Sequence, residues 1–114
     1  MKPDQLFILK ADFLDQGEAW FCPGCAEVLG MLEYYPALKA GIRIQQVDYP
    51  RPRPDIVPLL GEEFQSCPVL VLGSVPSEPV PGVRIQHANG HAFINEPREI
   101  GLYLAHVHGT GKPH

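Results

Sequence analysis

The chain has 114 residues, a formal net charge of −4 and an apolar fraction of 45%, values typical of one soluble globular domain. No apolar run approaches the ~20 residues of a membrane span, and Lys10 and Asp12 interrupt the short apolar stretch near the N-terminus, so neither a membrane span nor a secretory signal is expected. Because the charge is negative and no Lys/Arg cluster is present, nucleic acid and anionic membranes are not expected as partners.

The first predicted strand covers residues 6–13. One of its faces carries alternating apolar residues and the other begins with two more, which indicates burial on both sides; these residues are Phe7, Leu9, Ala11 and Phe13 on the first face and Leu6 and Ile8 on the second. A polar loop, residues 14–18, is predicted to follow.

A helix is predicted from Gly24 to about Tyr35, and Pro36 kinks or ends it. Apolar residues at helical spacing form its buried stripe, which consists of Val28, Leu29, Leu32 and Tyr35. Residues 42–48 then read as a second strand. The segment that follows is rich in proline, and its close basic pair, Arg51 and Arg53, is interpreted as part of a solvated loop.

The second half of the chain contains shorter elements. A helix is predicted within residues 54–63 and a third strand within residues 69–73. The dipeptide Asn89-Gly90 between two apolar runs predicts a β-hairpin. Asn95 is expected to cap a final helix, whose buried stripe consists of Ile100, Tyr103, Leu104 and Val107.

This order of elements predicts one α/β domain over residues 1–114, with a flexible tail at about 109–114. The domain is expected to contain a mixed sheet of four or five strands with helices on both faces. The strand at 6–13 should be central, between the strands at 42–48 and 69–73, and the last pair of strands should be antiparallel.

The sequence Cys-Pro-Gly-Cys places Cys22 and Cys25 at a strand-to-helix junction. Pro23 suits the first helical position, because its missing N–H would have no partner there. The free N–H groups and the dipole of a helix N-terminus favour the thiolate of Cys22, which makes it a nucleophile. Cys25 lies one turn inside the helix, more covered, where its sulfur can attack a mixed disulfide at Cys22. Two inert packing residues, or part of a metal site, are the competing interpretations.

Three further residues surround this pair in the sequence. Trp20 and Phe21 supply an apolar rim for docking a partner near the sulfur. Asp12 lies near the carboxyl end of the first strand, the end at which ligand sites form in such sheets. Its carboxylate has two interpretations: a proton acceptor for Cys25, or a hydrogen-bond acceptor at the start of a loop.

Three features together resemble the thioredoxin-like superfamily over nearly the whole chain: "WFCPGC" after the first strand, the βαβ order, and "SCPVLVL" at the third strand. The nearest likeness is to a small bacterial thioredoxin-like family with no assigned function. Thioredoxin itself has Trp directly before the first Cys and Gly-Pro between the two, and here Phe21 intervenes and the order is Pro-Gly. The resemblance implies a thioredoxin-like fold in which Pro68 is a cis-proline that faces the cysteine pair.

The expected function is that of a cytoplasmic thiol–disulfide oxidoreductase, needing no cofactor, that acts on a protein or small-molecule disulfide. The alternative is a metal-binding or adaptor domain in which Cys22, Cys25 and Cys67 hold zinc or another thiophilic ion. In that case His87 or His91 would complete the ligand set. A third hypothesis retains only the fold, as an interaction scaffold. For Cys67 itself, a third sulfur beside the pair and a small buried residue at a strand start both stay open.

Overall fold

A computed structural model describes residues 2–114 as an α/β fold. In chain order its elements are β1 (Asp4–Leu9), β2 (Phe13–Asp15), β3 (Glu18–Trp20), α1 (Pro23–Tyr34), a 3-10 helix (Pro36–Gly41), β4 (Ile42–Val47), α2 (Val57–Leu60), β5 (Val69–Val71), β6 (Gln86–Ala88), β7 (His91–Ile94) and α3 (Pro97–His108). Within this described part of the chain, no helix combines the length and the apolar character that crossing a membrane requires.

Five strands form one mixed sheet in the order β4-β1-β5-β7-β6. β1 is parallel to β4 on one side and antiparallel to β5 on the other, which confirms the two predicted neighbours of the first strand. The antiparallel pairing of β6 with β7 is also confirmed. β1 is not the middle strand, however. β6 adds an edge beyond β7, so that β5 lies at the centre.

The first strand is shorter than predicted, because it ends at Leu9. Residues 13–20 instead form a separate two-stranded ribbon, β2–β3, where a polar loop was expected. The two central residues of its turn, Gln16 and Gly17, have positive φ values of 54° and 78°. A two-residue hairpin turn of type I′ requires a positive φ at both positions. In chain order this ribbon therefore connects β1 to α1, and it is separate from the five-stranded sheet.

The sheet is covered on both faces, as predicted. Successive residues of β1 point to opposite sides, so Leu6 and Ile8 pack with α1 and α3 while Phe7 packs with α2. β5 and β7 repeat this alternation, which follows from the two-residue period of a strand. All three internal strands are therefore apolar on both faces, and α1 is held against β1 from one side.

The buried stripe of α1 differs from the predicted one. It consists of Cys25, Val28 and Leu32, at spacings of three and four residues, which match the helical period. Leu29 and Tyr35 are exposed. The stripe begins with a cysteine, so a pattern read from conventional apolar residues starts one turn late. The predicted end of the helix before Pro36 is confirmed.

The hairpin at Asn89-Gly90 is confirmed, with both residues at positive φ. The cap of α3 is not Asn95. Its neighbour Glu96 is the N-cap, and the Glu96 carboxylate accepts the backbone N–H of Glu99 at 3.0 Å. The Asn95 amide oxygen instead accepts a hydrogen bond from Gln86 on β6 at 2.7 Å.

Other boundaries differ modestly. α2 covers only Val57–Leu60, shorter than the predicted segment, because prolines are frequent around it. Val107 on α3 is exposed rather than buried. The flexibility expected of residues 109–114 stays a prediction. The structure places this segment on the helices, with Pro113 against Gly101 and the carbonyl of His114 accepting a hydrogen bond from Arg98 at 3.0 Å.

The corrected stripe of α1 predicts a contrast between two leucines of the same helix. Leu32→Ala should lower the free energy of unfolding by about 2–5 kcal/mol, because it leaves a cavity between α1 and the sheet. Leu29→Ala, the matched control, should change it by less than about 0.5 kcal/mol, because that side chain is exposed. Urea unfolding followed by circular dichroism measures both. Equal losses in the two variants would contradict the assigned packing.

Candidate functional site

Cys22 is the N-cap of α1, with extended backbone angles of φ −82° and ψ 115°. Its Sγ accepts the backbone N–H of Cys25 at 3.2 Å. Pro23 occupies the first turn, as predicted, where its lack of an N–H leaves no unsatisfied donor. The sulfur of Cys22 therefore takes the place that a capping oxygen has in other helices, and a negative charge on it would face the positive end of the helix dipole.

Cys25 lies directly behind Cys22 and is 3% exposed. Its Sγ accepts the backbone N–H of Leu9, at the end of β1, at 3.4 Å. The pKa of the Cys25 thiol is raised to about 12, mainly by burial; the Leu9 N–H opposes this rise, while a hydrogen bond with Cys22 and the negative charges of Cys22 and Cys67 contribute to it. At neutral pH Cys25 is therefore a protonated thiol.

The third cysteine borders the same place. The peptide bond between Cys67 and Pro68 is cis, as the sequence predicted. The Cys67 carbonyl oxygen accepts a hydrogen bond from the Cys22 thiol at 3.7 Å. The pKa of Cys67 is raised to about 11, mainly by burial; the charges of Arg53 and Arg51 act against this rise and the charge of Cys22 contributes to it. Three free thiols thus act on one another electrostatically at one end of the sheet.

Arg53 is a site residue that the sequence analysis missed. It was assigned to a solvated loop, and it is 5% exposed. Its guanidinium donates to the carbonyl oxygens of Gln65 and Tyr49 at 2.7 to 3.1 Å, and its backbone N–H donates to the Gln65 side chain at 2.7 Å. These bonds tie the proline-rich segment to the irregular segment that precedes Pro68 and β5. Nothing in the local sequence distinguishes Arg53 from its exposed neighbour Arg51.

Gly24, between the two cysteines, is required by close packing. A Cβ at this position would lie 2.8 Å from Cγ of Pro97 and 3.2 Å from Cδ of Pro68, both closer than ordinary van der Waals contact allows. The first turn of α1 therefore rests directly on the start of α3 and on Pro68. This contact sets the distance between the cysteine pair and Cys67.

The predicted apolar rim is present at the surface beside Cys22. Trp20 is 47% and Phe21 is 62% exposed, and Leu14 on the same ribbon is 72% exposed. The indole N–H of Trp20 donates to the carbonyl oxygen of Asp15 across the ribbon at 2.9 Å, which fixes the ring. Leu14, which was assigned to a polar loop, lies on β2 opposite Ala19, so its side chain is on the other face of the ribbon from Trp20.

Asp12 lies outside the first strand, whereas the sequence prediction placed it within that strand, near its carboxyl end. It is exposed and lies beyond the end of β1, with φ of 61°. The shorter strand is the reason, since Asp12 falls in the connection to the ribbon rather than on the sheet. Its suggested part in accepting a proton from Cys25 stays a prediction.

The histidines proposed as further metal ligands lie on the β6–β7 hairpin, His87 on β6 and His91 on β7. Among residues 2–114, no group of three or more His, Cys, Asp or Glu side chains is arranged to hold a metal ion. The metal-binding alternative therefore has no geometric support from these residues, and it stays a hypothesis for chemical analysis.

The packing of Gly24 predicts opposite effects for two glycines of α1. Gly24→Ala should destabilise the protein by about 1–3 kcal/mol, because the added methyl pushes α1 away from Pro68 and Pro97. Gly30→Ala should stabilise it by about 0.5–1 kcal/mol, because a Cβ at Gly30 meets no atom within 4 Å and alanine favours the helix. Thermal or urea unfolding measures both, and a stabilising Gly24→Ala would contradict the contact.

The protonation states predict the order in which the three thiols are alkylated. Iodoacetamide at neutral pH should modify Cys22 first, because it is half-buried at the helix N-terminus whereas Cys25 is covered. Since the pKa values of Cys67 and Cys25 are raised to about 11 and about 12, their thiolates form only as the pH rises towards those values, and their labelling should rise with it. Peptide mapping by mass spectrometry reads each site. Labelling of Cys25 before Cys22 would reverse the assigned roles.

Comparison with known proteins identifies a protein family for this chain. No curated protein and no solved structure matches the chain. A family model described as "Protein of unknown function (DUF3088)" matches residues 3–112. Because this match covers nearly the whole sequence, including the three cysteines and every helix and strand, the chain is a member of the DUF3088 family.

Proposed function

We propose that this protein is a thiol–disulfide oxidoreductase with a thioredoxin-like fold, acting in the cytoplasm on a disulfide of a protein or a small molecule. One observation carries the proposal: the sulfur of half-buried Cys22 caps α1, and the buried Cys25 thiol lies behind it, within hydrogen-bond reach of that sulfur. The parallel β1–α1–β4 unit and the cis peptide bond before Pro68 support the proposed fold.

The first step is attack by the Cys22 thiolate on a substrate disulfide. A bond forms between the Cys22 sulfur and one substrate sulfur, the substrate disulfide breaks, and the other substrate sulfur leaves as a thiolate. The N–H of Cys25 and the helix dipole stabilise the attacking thiolate. The backbone of Cys67 lies beside this sulfur, where it is placed to align the substrate chain.

The second step is attack by Cys25 on the Cys22 sulfur, which releases the second substrate thiolate and leaves a Cys22–Cys25 disulfide. Two electrons have then passed from the protein to the substrate. Burial is the main reason for the high pKa of Cys25, but the charge and the hydrogen bond of Cys22 add to it. Both additions disappear once Cys22 is in a mixed disulfide, so Cys25 becomes more acidic when it is needed. Its proton goes to a departing thiolate.

The exposed rim favours a polypeptide as substrate. Trp20 and Phe21 directly precede Cys22 in the chain and are exposed, and covering such apolar surface with a partner is favourable. Cys22 itself is half-buried at the start of α1, directly after these two aromatic residues, which suits a disulfide on an exposed segment of a partner protein.

The test combines thiol counting, metal analysis and turnover on the purified protein. Treatment with a protein disulfide such as that of insulin should remove two of the three thiols, and a reductant should restore them. Cys22→Ser should lower the rate of insulin reduction by dithiothreitol to the rate with dithiothreitol alone, whereas Leu29→Ala, on the exposed side of α1, serves as a matched control and should retain the acceleration. Circular dichroism verifies that each variant is folded.

Two outcomes would overturn the proposal. One is stoichiometric zinc or iron bound to the freshly purified protein, which would favour the metal-binding alternative. The other is a folded Cys22→Ser variant that still accelerates insulin reduction above the rate with dithiothreitol alone, which would exclude Cys22 as the nucleophile.

A further inference from the structure

Cys67 has no chemical part in the two-cysteine cycle just described, although it lies at the same place. It is half-buried, and its carbonyl oxygen is 3.7 Å from the Cys22 sulfur. Its side chain contacts the apolar clusters on both faces of the sheet. The backbone contact places Cys67 beside the attacking cysteine, and the charge of Cys22 acts on the Cys67 thiol. Because thiols exchange disulfides with nearby thiols, the role of Cys67 needs an explanation of its own.

The surroundings of Cys67 differ from those of Cys25 in their charge. Cys67 is close to the guanidinium of Arg53 and feels the charge of Arg51, and the one charged group that disfavours its thiolate is Cys22. Around Cys25, the neighbouring ionisable groups are the other two cysteines. A thiolate is therefore better supported at Cys67 than at Cys25 by the charges of its neighbours.

Arg53 is also a buried cation whose hydrogen bonds go to uncharged oxygens of Tyr49 and Gln65. The salt bridge that the structure contains among residues 2–114 joins Lys10 to Asp48 and does not involve Arg53. A buried charge without a counter-charge is costly. A Cys67 thiolate would supply that counter-charge at the moment of reaction. Arg53 would in turn stabilise the thiolate, since its charge lowers the pKa of Cys67.

We propose that Cys67 is a second resolving cysteine, which attacks the Cys22 sulfur of a mixed disulfide, with Arg53 as the residue that positions it. The inference rests on the proposed function. In this step the Cys67 sulfur bonds to the Cys22 sulfur, the bond from Cys22 to the substrate sulfur breaks, and the substrate leaves as a thiolate that takes the proton from Cys67. The product is a Cys22–Cys67 disulfide. Two protein thiols have again supplied two electrons to the substrate disulfide.

The test uses Cys25→Ser, which removes the first resolving thiol, and one equivalent of 2,2′-dithiodipyridine. Attack by Cys22 releases one 2-thiopyridone, and resolution by Cys67 releases the second. We expect two equivalents of 2-thiopyridone, an intact protein mass lower by two hydrogens, and a Cys22–Cys67 linkage in the peptide map. The matched control, Cys25→Ser with Cys67→Ser, should release one equivalent and retain the adduct.

Persistence of the adduct on folded Cys25→Ser would overturn the inference, and so would separate adducts on Cys22 and Cys67. These failures differ from failure of the proposed function, in which the wild-type protein would not release the first equivalent from Cys22. If the wild type releases both equivalents while Cys25→Ser stops at one, the two-cysteine cycle stands and Cys67 has no part in it.

Arg53 is tested in the Cys25→Ser background by stopped-flow measurement across pH. Arg53→Gln should slow the second release and move its pH profile to higher pH, because the thiolate fraction of Cys67 falls about tenfold for each unit by which its pKa rises. The first release should be unchanged. Arg53→Lys should restore part of the rate, and Arg43→Gln, on the exposed side of β4, should have no effect. A second release with the same rate and pH profile in folded Arg53→Gln would exclude this role.

Discussion

The site depends on how the first turn of α1 is clamped. On one side the N–H of Leu9, at the end of β1, donates to the Cys25 sulfur. On the other side Gly24 lies against Pro68 and Pro97 so closely that a methyl group has no room. Because Cys22 precedes these contacts, it stays half-exposed while Cys25 is held inside. The contrast between an accessible and a covered thiol thus follows from backbone packing rather than from the identity of the surrounding side chains.

The same clamp controls the electrostatics of the sulfurs. Burial raises the pKa of Cys25 and of Cys67, and each charge placed on one sulfur acts on the others because little water separates them. Arg53 is the exception in this apolar region, a cation fixed by the carbonyl oxygens of Tyr49 and Gln65. The proline-rich segment therefore does more than connect β4 to β5, since it delivers a fixed positive charge to the edge of the thiol cluster.

Much of the fold could be predicted from local patterns. The two-sided apolar character of β1, the Asn89-Gly90 turn and the helix after the cysteine pair each rest on interactions within a few residues. What could not be predicted depends on distant contacts. Arg53 resembles Arg51 in the sequence and is buried only because Gln65 and Tyr49 receive its donors. Asn95 is a residue type that commonly caps helices, but its amide oxygen accepts a hydrogen bond from Gln86 on a neighbouring strand. Glu96 is the N-cap instead. The Gln16-Gly17 turn lacks the Asn-Gly or Asp-Gly pair that is the strongest hairpin signal. The β2–β3 ribbon, which contains Leu14, was therefore not predicted.

The β2–β3 ribbon has a consequence for how such a protein can diverge. It forms a two-stranded sheet of its own that shares no backbone ladder with the five-stranded sheet, and it is inserted between the two elements that hold the cysteine pair. Its length and side chains can therefore change without altering the register of β1 or the packing of α1. The ribbon can therefore be exchanged as a module, by evolution or by design, while the three thiols keep their positions.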